Sequence, residues 1–175
     1  PVSVEDFSLD ESPWAWADYV DDEAERVDIS AAQVTAVLVT LDAARWLPAT
    51  LQALAKLDTR PTRLIAIDNA SADTTPMLLD EACRHGIVDA VYPGERSLGF
   101  GEAVKRALDC DIANLQDDAD TVGFRAVSVH DTRWLWLLHD DAAVLPGTLA
   151  GLLDVATSAD DIAVVGPKIR EWPSL

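Results

Sequence analysis

The sequence predicts an α/β fold with a mostly parallel sheet flanked by helices, the Rossmann-like arrangement. Three observations support this prediction. Apolar, often β-branched runs of strand length recur along the chain, stretches with helical periodicity separate them, and small polar residues follow several of the runs. Strand and helix therefore alternate, and the crossovers between parallel strands are expected to be right-handed.

The individual elements follow in order from Val34. Strands are expected at 34–40 (VTAVLVT), 63–68 (RLIAID), 88–94 (VDAVYPG), 134–139 (WLWLLH) and 162–167 (IAVVGP). The first and fourth runs are typical of strands buried on both faces of a sheet. Three helices show an apolar face, formed by Leu47, Leu51, Leu54 and Ala55; by Ala103, Val104, Ala107 and Leu108; and by Leu149, Leu152, Leu153 and Ala156.

One further helix is indicated by its ends. Thr75 is expected to cap its N-terminus with Pro76 at the first helical position, and the helix should stop near His85 because Gly86 follows. Residues 109–123 are acidic and show no sustained apolar periodicity, so they are expected to form a loop or a poorly ordered insertion.

Composition limits the classes of function. The chain of 175 residues suits one domain, and its formal net charge of −18 argues against a nucleic-acid partner. Residues 1–30 form an acidic lead segment with ten carboxylates against a single arginine. This segment also carries Trp14, Trp16 and Tyr19, and is interpreted as a solvated extension that packs on the domain or as a docking segment. An anionic substrate would need a cation to bind so acidic a chain.

Polar residues follow four of the expected elements. Ligands of open parallel sheets bind just beyond the carboxyl ends of the strands, so these residues are expected to converge at one edge. The four clusters are Thr40-Leu41-Asp42, Asp68-Asn69-Ala70-Ser71, Ser97 to Gly101 and His139-Asp140-Asp141.

The pair Asp140-Asp141 ends an apolar run, which favours a role beyond solvation. Hard divalent cations such as Mn²⁺ and Mg²⁺ bind carboxylate oxygens and often share the site with substrate phosphates. His139 could add a nitrogen ligand, which suits Mn²⁺ better than Mg²⁺. A capping and turn cluster before Pro146 is the alternative, and spacing alone does not separate the two.

The other clusters also have two interpretations each. Asp68 could accept a hydrogen bond from a nucleobase or a ribose, or it could cap the turn that follows. Asp73 is expected to serve the loop or the next helix N-terminus. Gly99 and Gly101 allow close backbone approach at a helix N-terminus, but the third glycine of a dinucleotide fingerprint is missing. Arg96 could meet a phosphate, and no serine or cysteine has the context of a catalytic nucleophile.

Taken in order, several segments resemble the nucleotide-sugar-binding half of family 2 glycosyltransferases, across roughly residues 34–170. They are VTAVLVTLDAARWLPATLQAL, RLIAIDNASAD, SLGFGEAVKRAL, WLWLLHDDAAVLPGTLAGLL and AVVGPKI. The portion from LLHDD to GPKIREWPSL is most similar to large membrane-associated actinobacterial members that build cell-envelope glycans. The resemblance implies a partial GT-A domain over residues 31–175, a nucleotide diphosphate sugar as donor, a glycan or lipid-linked acceptor, and Mn²⁺ or Mg²⁺ as cofactor.

The resemblance also implies roles for single residues. Asp141 matches the last aspartate of the D-x-D element that holds the metal on the diphosphate, and His139, which replaces the first aspartate, is expected to share that metal. Asp140 is the middle residue. The expected contacts to the donor are Thr40, Asp42, Asp68, Asn69, Ser97, Gly99 and Asp140. The sequence departs from the family pattern with Leu41-Asp42 for Tyr-Asn, Ala70 for glycine and Ser97 for asparagine.

The catalytic residue is not assigned. The general base of inverting members is a carboxylate beyond the last strand, so it is expected beyond Leu175, in a C-terminal part of a longer parent that this chain would contact. The chain by itself is then expected to transfer poorly. Two cysteines and the absence of a signal-peptide pattern favour a cytoplasmic location, and the resemblance implies a parent at the cytoplasmic face of the membrane.

Two other functions compete with sugar transfer. The first is a catalytically silent module that binds a nucleotide or a partner, with the lead segment as its interface. The second is a nucleotidyltransferase, which would carry a glycine-rich basic loop near the first strand. The segment TLDAARWL has no glycine, which argues against that class.

Overall fold

The computed structural model describes residues 34–119, 134–159 and 161–170. Within these ranges strand and helix alternate, which confirms the predicted α/β class. The elements are β1 (Val34–Thr40), α1 (Leu47–Ala55), β2 (Arg63–Asp68), α2 (Thr75–Arg84), β3 (Ala90–Pro93), α3 (Phe100–Ala119), β4 (Trp134–His139) and α4 (Thr148–Thr157). The lead segment expected at 1–30 lies outside the described residues. No described helix is both long and apolar enough to cross a bilayer.

The four strands form one parallel sheet in the order β3-β2-β1-β4. The register places Thr40 opposite Asp68, and Val39 opposite His139. The carboxyl ends of the three neighbouring strands β2, β1 and β4 therefore meet at one edge of the sheet, where such folds bind ligands.

The sheet is covered on both faces along β1, whose seven residues are all buried, as the β-branched run predicted. Alternate residues of β1 enter different layers because side chains of a strand point to opposite faces. Leu38 packs with Leu47 of α1 and Leu79 of α2, whereas Val37 packs with Ala103 of α3. These two layers fix α1, α2 and α3 against the central strand.

The prediction of a buried fourth strand is wrong for most of β4. Leu135 is 42% exposed and Leu137 is 51% exposed, while Leu138 on the opposite face is 5% exposed. Within the described ranges β4 is an edge strand and pairs with β1 alone. A run of large apolar residues therefore indicated a strand correctly, but it did not indicate how many neighbours the strand has.

The strand expected at 162–167 is also absent from the described sheet. Residues 162–170 have no regular secondary structure, and Val164 is 88% exposed. An apolar run becomes a strand only when a neighbouring strand accepts its backbone hydrogen bonds. Among the described residues, no strand pairs with this segment.

The loop expected at 109–123 is corrected as well, because α3 continues to Ala119. Its second half is anchored by a polar contact. Asp111 is fully buried and accepts hydrogen bonds from Arg63 of β2 and from Tyr92 of β3. Apolar periodicity, the sign used to recognise helices in the sequence, cannot detect such an anchor. Residues 120–123 lie outside the described ranges.

The expected start of α2 is shifted by one residue. Thr74 occupies the N-cap position, Thr75 begins the helix, and Pro76 lies in the first turn. The Thr75 hydroxyl does not cap α2; instead its Oγ1 accepts a hydrogen bond of 2.8 Å from the N–H of Ala43. The C-terminus agrees with the prediction, since α2 ends at Arg84 and Gly86 adopts φ +65°.

Candidate donor and metal site

The polar clusters do converge at the carboxyl edge of the sheet, as predicted from the strand ends. The last residues of β1 and β2 contact each other, with 3.1 Å between the hydroxyl of Thr40 and the carboxylate of Asp68. The loop after β1 contacts the residue that follows β4, with 3.0 Å between the N–H of Leu41 and the carboxylate of Asp140. The start of α3 reaches the same edge, where the ring of Phe100 stacks on His139.

Asp68 organises the turn after β2. Its Oδ1 accepts hydrogen bonds from the hydroxyls of Ser71, at 2.5 Å, and Thr40, at 3.1 Å, and its Oδ2 accepts from the N–H of Ser71 at 3.1 Å. The capping interpretation of this carboxylate is therefore confirmed. A carboxylate offers about four acceptor positions, so Asp68 retains capacity for a further donor from a ligand.

The loops after β1 and β2 each contain one residue in a strained backbone conformation. Asp42 has φ +50° and Ala70 has φ +57°, a region that side chains with a Cβ rarely adopt. Arg96 bridges both positions, because its guanidinium pairs with the Asp42 carboxylate and donates to the carbonyl of Ala70. In this structure Arg96 therefore binds the two loops rather than standing free for a phosphate.

Asn69 lies between the ends of β2 and β3. The residue is 4% exposed, its N–H donates to the carbonyl of Thr40 at 2.9 Å, and its buried Oδ1 has no hydrogen-bond partner among the described residues. A Cβ at Gly94 would lie 2.3 Å from that Oδ1. Glycine is therefore required at position 94 for β3 to end against Asn69.

The two glycines of the segment SLGFGEA have different surroundings at the start of α3. The N–H of Gly99 donates to the carboxylate of Glu102 at 3.3 Å, so one of the free donors of this helix end is already satisfied. Gly101 has open space around the position of a Cβ. Ser97, an expected contact to the donor, lies in the turn that precedes α3, on the segment between Arg96 and Phe100.

Asp140 is the buried member of the acidic pair and is 9% exposed. Its Oδ2 accepts from Leu41, and its carbonyl accepts a hydrogen bond of 2.8 Å from the hydroxyl of the buried Thr50 in α1. These two contacts fix the backbone and one carboxylate oxygen of Asp140. The other oxygen, Oδ1, faces the imidazole of His139 at 3.1 Å.

His139 and Asp141 are the exposed members of the cluster. Nδ1 of His139 lies 3.0 Å from Oδ1 of Asp141, almost as close as it lies to Asp140. The imidazole stacks on Phe100 with 5.7 Å between ring centroids and 9° between ring planes. The aromatic ring, the imidazole and two carboxylates are therefore gathered where β4 meets the start of α3.

These three side chains fit a divalent cation. One ligand atom from each of His139, Asp140 and Asp141 can be chosen so that all three lie within 4.8 Å of one another. Two carboxylate oxygens and one imidazole nitrogen form a donor set that Mn²⁺ accepts, and Mg²⁺ accepts the oxygens. The hydrogen bond from Leu41 leaves Oδ1 of Asp140 available for this purpose.

The charge at this edge is predominantly negative. Asp42, Asp68, Asp140 and Asp141 face the cations of Arg96 and, when protonated, His139.

Asp73 lies beside these residues in the loop before α2. The hydrogen bonds that it accepts, from Thr75 first and then from Ala44, lower its pKa below the usual value. Its structural role is confirmed, because Asp73 accepts from Thr75 N–H and Ala44 N–H at 2.9 Å each.

A second polar cluster anchors α3 toward the amino end of β2. Arg63 donates two parallel hydrogen bonds to Asp111, at 2.5 and 2.8 Å, and Tyr92 donates to the same carboxylate at 2.5 Å. The hydrogen bond to Asp111 raises the pKa of Arg63. Burial, followed by the interaction with Asp111, raises the pKa of Tyr92 to about 12.

Sequence reasoning missed four residues that shape the site: Thr50, Gly94, Phe100 and Arg96 in its role as a bridge between loops. Phe100 lies in the segment SLGFGEA, in which the glycines were the pattern recognised from the sequence. Its aromatic ring beside a helix start was the available sign. Thr50 and Gly94 had no sign of their own, because their roles depend on backbone groups that approach from distant parts of the chain.

The chain is similar in sequence to known glycosyltransferases. No protein-family model matches the chain. It is 30% identical over 135 residues to the N-acetylglucosaminyl-diphospho-decaprenol L-rhamnosyltransferases of Mycobacterium tuberculosis strains CDC 1551 / Oshkosh and ATCC 25618 / H37Rv. The match covers 77% of this chain and 40% of each relative, so the chain spans well under half of the proteins it matches.

A solved structure supports the same conclusion about the fold. The mannosyltransferase PcManGT from Pyrobaculum calidifontis, in complex with GDP-Man and Mn²⁺, matches with a TM-score of 0.50 and 19% identity. The match covers 72% of this chain and 32% of the mannosyltransferase. The mycobacterial relatives and the ordered motifs support a nucleotide-sugar-binding portion like that of family 2 glycosyltransferases, and the parallel α/β sheet has the GT-A fold.

Proposed function

We propose that this chain is the donor-binding part of a metal-dependent glycosyltransferase. The enzyme would move a sugar from a nucleotide diphosphate sugar to a cell-envelope glycan or a lipid-linked acceptor. One observation carries the proposal: His139, Asp140 and Asp141 bring three ligand atoms within 4.8 Å of one another at the edge where the loops after β1 and β2 meet. A cation there would offset the negative charge that otherwise repels a diphosphate.

The relatives support this proposal by their own names. The mycobacterial proteins are named N-acetylglucosaminyl-diphospho-decaprenol L-rhamnosyltransferases, a name that contains a lipid-linked sugar, and the mannosyltransferase from Pyrobaculum calidifontis is in complex with GDP-Man and Mn²⁺. For this chain we propose an acceptor of the same broad class. We also propose a cytoplasmic location for this part, with the whole protein at the cytoplasmic face of the membrane.

We propose the following contacts between the site residues and the donor or the metal. Thr40, Asp42, Asp68 and Asn69 would line the nucleoside pocket, and Ser97 and Gly99 would approach the donor from the start of α3. Asp141, His139 and Oδ1 of Asp140 would hold Mn²⁺ or Mg²⁺. The bound metal would supply Lewis-acid stabilisation of the departing nucleoside diphosphate.

The substitution of His139 for an aspartate favours a second candidate, a silent module that binds a nucleotide or partner without a metal. The imidazole contacts both carboxylates directly, so a protonated His139 would offset one of their two negative charges. Such a module would bind its ligand equally well in the presence and absence of Mn²⁺.

Calorimetric titration distinguishes the two candidates. UDP, GDP and dTDP would be titrated with and without Mn²⁺ into the wild type, into Asp141→Ala, and into Asp154→Ala as a control for the lost charge on the exposed face of α4. The proposal predicts binding of one nucleotide that requires Mn²⁺, fails in Asp141→Ala and survives in Asp154→Ala. Nucleotide binding that is unchanged by the removal of Mn²⁺ and by Asp141→Ala would instead support the silent module. Failure of every nucleotide in the presence of Mn²⁺ would contradict a donor site.

A further inference from the structure

The stack between Phe100 and His139 joins two elements that are far apart in the chain. His139 ends the edge strand β4, and its side chain is 61% exposed. Phe100 begins α3 and is 38% exposed. An exposed imidazole at a strand end has broad freedom about its second side-chain torsion, so its plane is set by the groups it contacts.

The position of Phe100 is fixed by the core. Three residues farther along α3, Ala103 is fully buried and begins the apolar face that packs on Val37 of β1 and Ile65 of β2. The first turn of α3 is further held by the hydrogen bond between Gly99 and Glu102. The ring of Phe100 is therefore presented from a rigid element toward the more exposed imidazole.

The ring planes are within 9° of parallel, and Nδ1 of His139 then lies 3.0 Å from Asp141 and 3.1 Å from Asp140. Rotation of the imidazole out of this plane would carry Nδ1 away from both carboxylates. From this geometry we infer that Phe100 is a positioning residue that orients His139 as a metal ligand. This inference rests on the proposed function, since it concerns the same cation site.

The inference also explains how histidine can replace a carboxylate in this cluster. A carboxylate presents equivalent oxygens after rotation, whereas an imidazole binds a metal only along the lone pair of one nitrogen. Groups that hold a histidine ring in place typically raise its affinity for a metal. Here an aromatic face fixes the plane of the ring, and the two carboxylates fix which nitrogen points inward.

The test measures ring orientation and metal binding separately. The variants are Phe100→Ala, Phe100→Leu, which keeps apolar bulk, and Phe100→Tyr, which keeps the ring. Met77→Ala, 69% exposed on α2, serves as the control for an exposed apolar side chain. In metal-free protein, the ring-proton NMR signals of His139 should lose their aromatic ring-current shift in Phe100→Ala and Phe100→Leu, and keep it in Phe100→Tyr.

Mn²⁺ affinity, measured by electron paramagnetic resonance, should fall about threefold to tenfold in the Ala and Leu variants, the range expected from loss of one aromatic pair. Phe100→Tyr and Met77→Ala should bind as the wild type does. In a His139→Ala background, Phe100→Ala should cause no additional loss, since Phe100 acts through His139.

The outcomes separate this inference from the proposed function. If the wild type binds no Mn²⁺, both the metal site and the positioning role are overturned. If the wild type binds Mn²⁺ but Phe100→Ala binds it equally well, only the positioning role is overturned. The positioning role is likewise overturned if the His139 signals are unchanged in Phe100→Ala, or if Phe100→Ala weakens binding as much without His139 as with it.

Discussion

Oδ2 of Asp140 accepts a hydrogen bond of 3.0 Å from the backbone N–H of Leu41, so a carboxylate at the end of β4 holds the loop that follows β1. This contact links residues 99 positions apart and gives Asp140 a structural role independent of any metal. The two aspartates of the pair are consequently not equivalent, because Asp141 is exposed and its carboxylate contacts His139 alone among the described residues.

Asp140→Ala should therefore destabilise the protein even without a metal. Loss of the acceptor leaves the N–H of Leu41 unpaired, which costs about 1–3 kcal/mol of unfolding free energy. Asp140→Asn retains an oxygen acceptor and should lose less. Urea denaturation in EDTA measures both, with the exposed Asp141→Ala expected to stay within about 0.5 kcal/mol of wild type. Equal losses in Asp140→Ala and Asp141→Ala would contradict the structural role.

Gly94→Ala should also destabilise the protein, for a steric reason. The new Cβ would lie 2.3 Å from Oδ1 of Asn69 and 3.1 Å from the carbonyl of Asp68, so the Asn69 side chain must move. Overpacking of this kind costs about 1–3 kcal/mol.

The matched control for that variant is Gly101→Ala in α3, where nothing lies within 4 Å of the new Cβ. This change should be neutral or stabilise by up to about 1 kcal/mol, because alanine favours helix. Thermal denaturation compares the two variants. Similar melting temperatures would show that the contact at position 94 relaxes freely.

The raised pKa of Tyr92 predicts that the protein loses stability at alkaline pH. Its pKa of about 12 in the folded protein exceeds the ordinary value of 10.0, so the folded state retains its phenolic proton where the unfolded state releases it. The stability that this group contributes is complete below pH 10 and declines as the pH rises toward 12, by about 2–3 kcal/mol in all.

Tyr92→Phe isolates this effect, because every other titrating group is common to both proteins. The wild type should be the more stable protein at pH 8, and its advantage should shrink as the pH rises from 10 to 12. Guanidinium denaturation at several pH values measures the difference. A constant difference across that range would refute the role of Tyr92.

Ala70→Gly should stabilise the protein. At φ +57° the Cβ of Ala70 costs about 1–2 kcal/mol, whereas glycine costs about 0.5–1 kcal/mol through the entropy of the unfolded chain. The net gain should be about 0.5–1 kcal/mol. Ala72→Gly, two residues along and without a positive φ, should lose about the same amount. If urea denaturation showed that both variants change the free energy of unfolding in the same direction, the strain at position 70 would be disproved.

The predictions from sequence succeeded where local chemistry decides the structure. The β-branched run 34–40 has to be a central strand, since its seven side chains find cover on both faces only there. The convergence of Asp68 and Asp140 on one edge follows from parallel pairing, because every strand then ends at the same side.

The predictions failed where contacts between residues far apart in the chain determine the structure. The extension of α3 depends on Asp111 meeting Arg63, 48 positions away, and an acidic residue in sequence gives no sign of a buried partner. The exposure of Leu135 and Leu137 depends on the place of β4 at the sheet edge. Phe100 was overlooked because its partner, His139, reaches it only through the assembled sheet.

The proposed function requires that a divalent cation and a nucleoside diphosphate share the edge formed by His139, Asp140 and Asp141. The most direct measurement is paramagnetic broadening of backbone amide signals by Mn²⁺, recorded with UDP, GDP or dTDP present. We expect the broadening to be strongest at residues 139–142, to extend to Leu41 and Asp42, and to be lost in Asp141→Ala. Broadening centred on the exposed carboxylates of α2 or α3, or unchanged in Asp141→Ala, would contradict a shared cation and donor site.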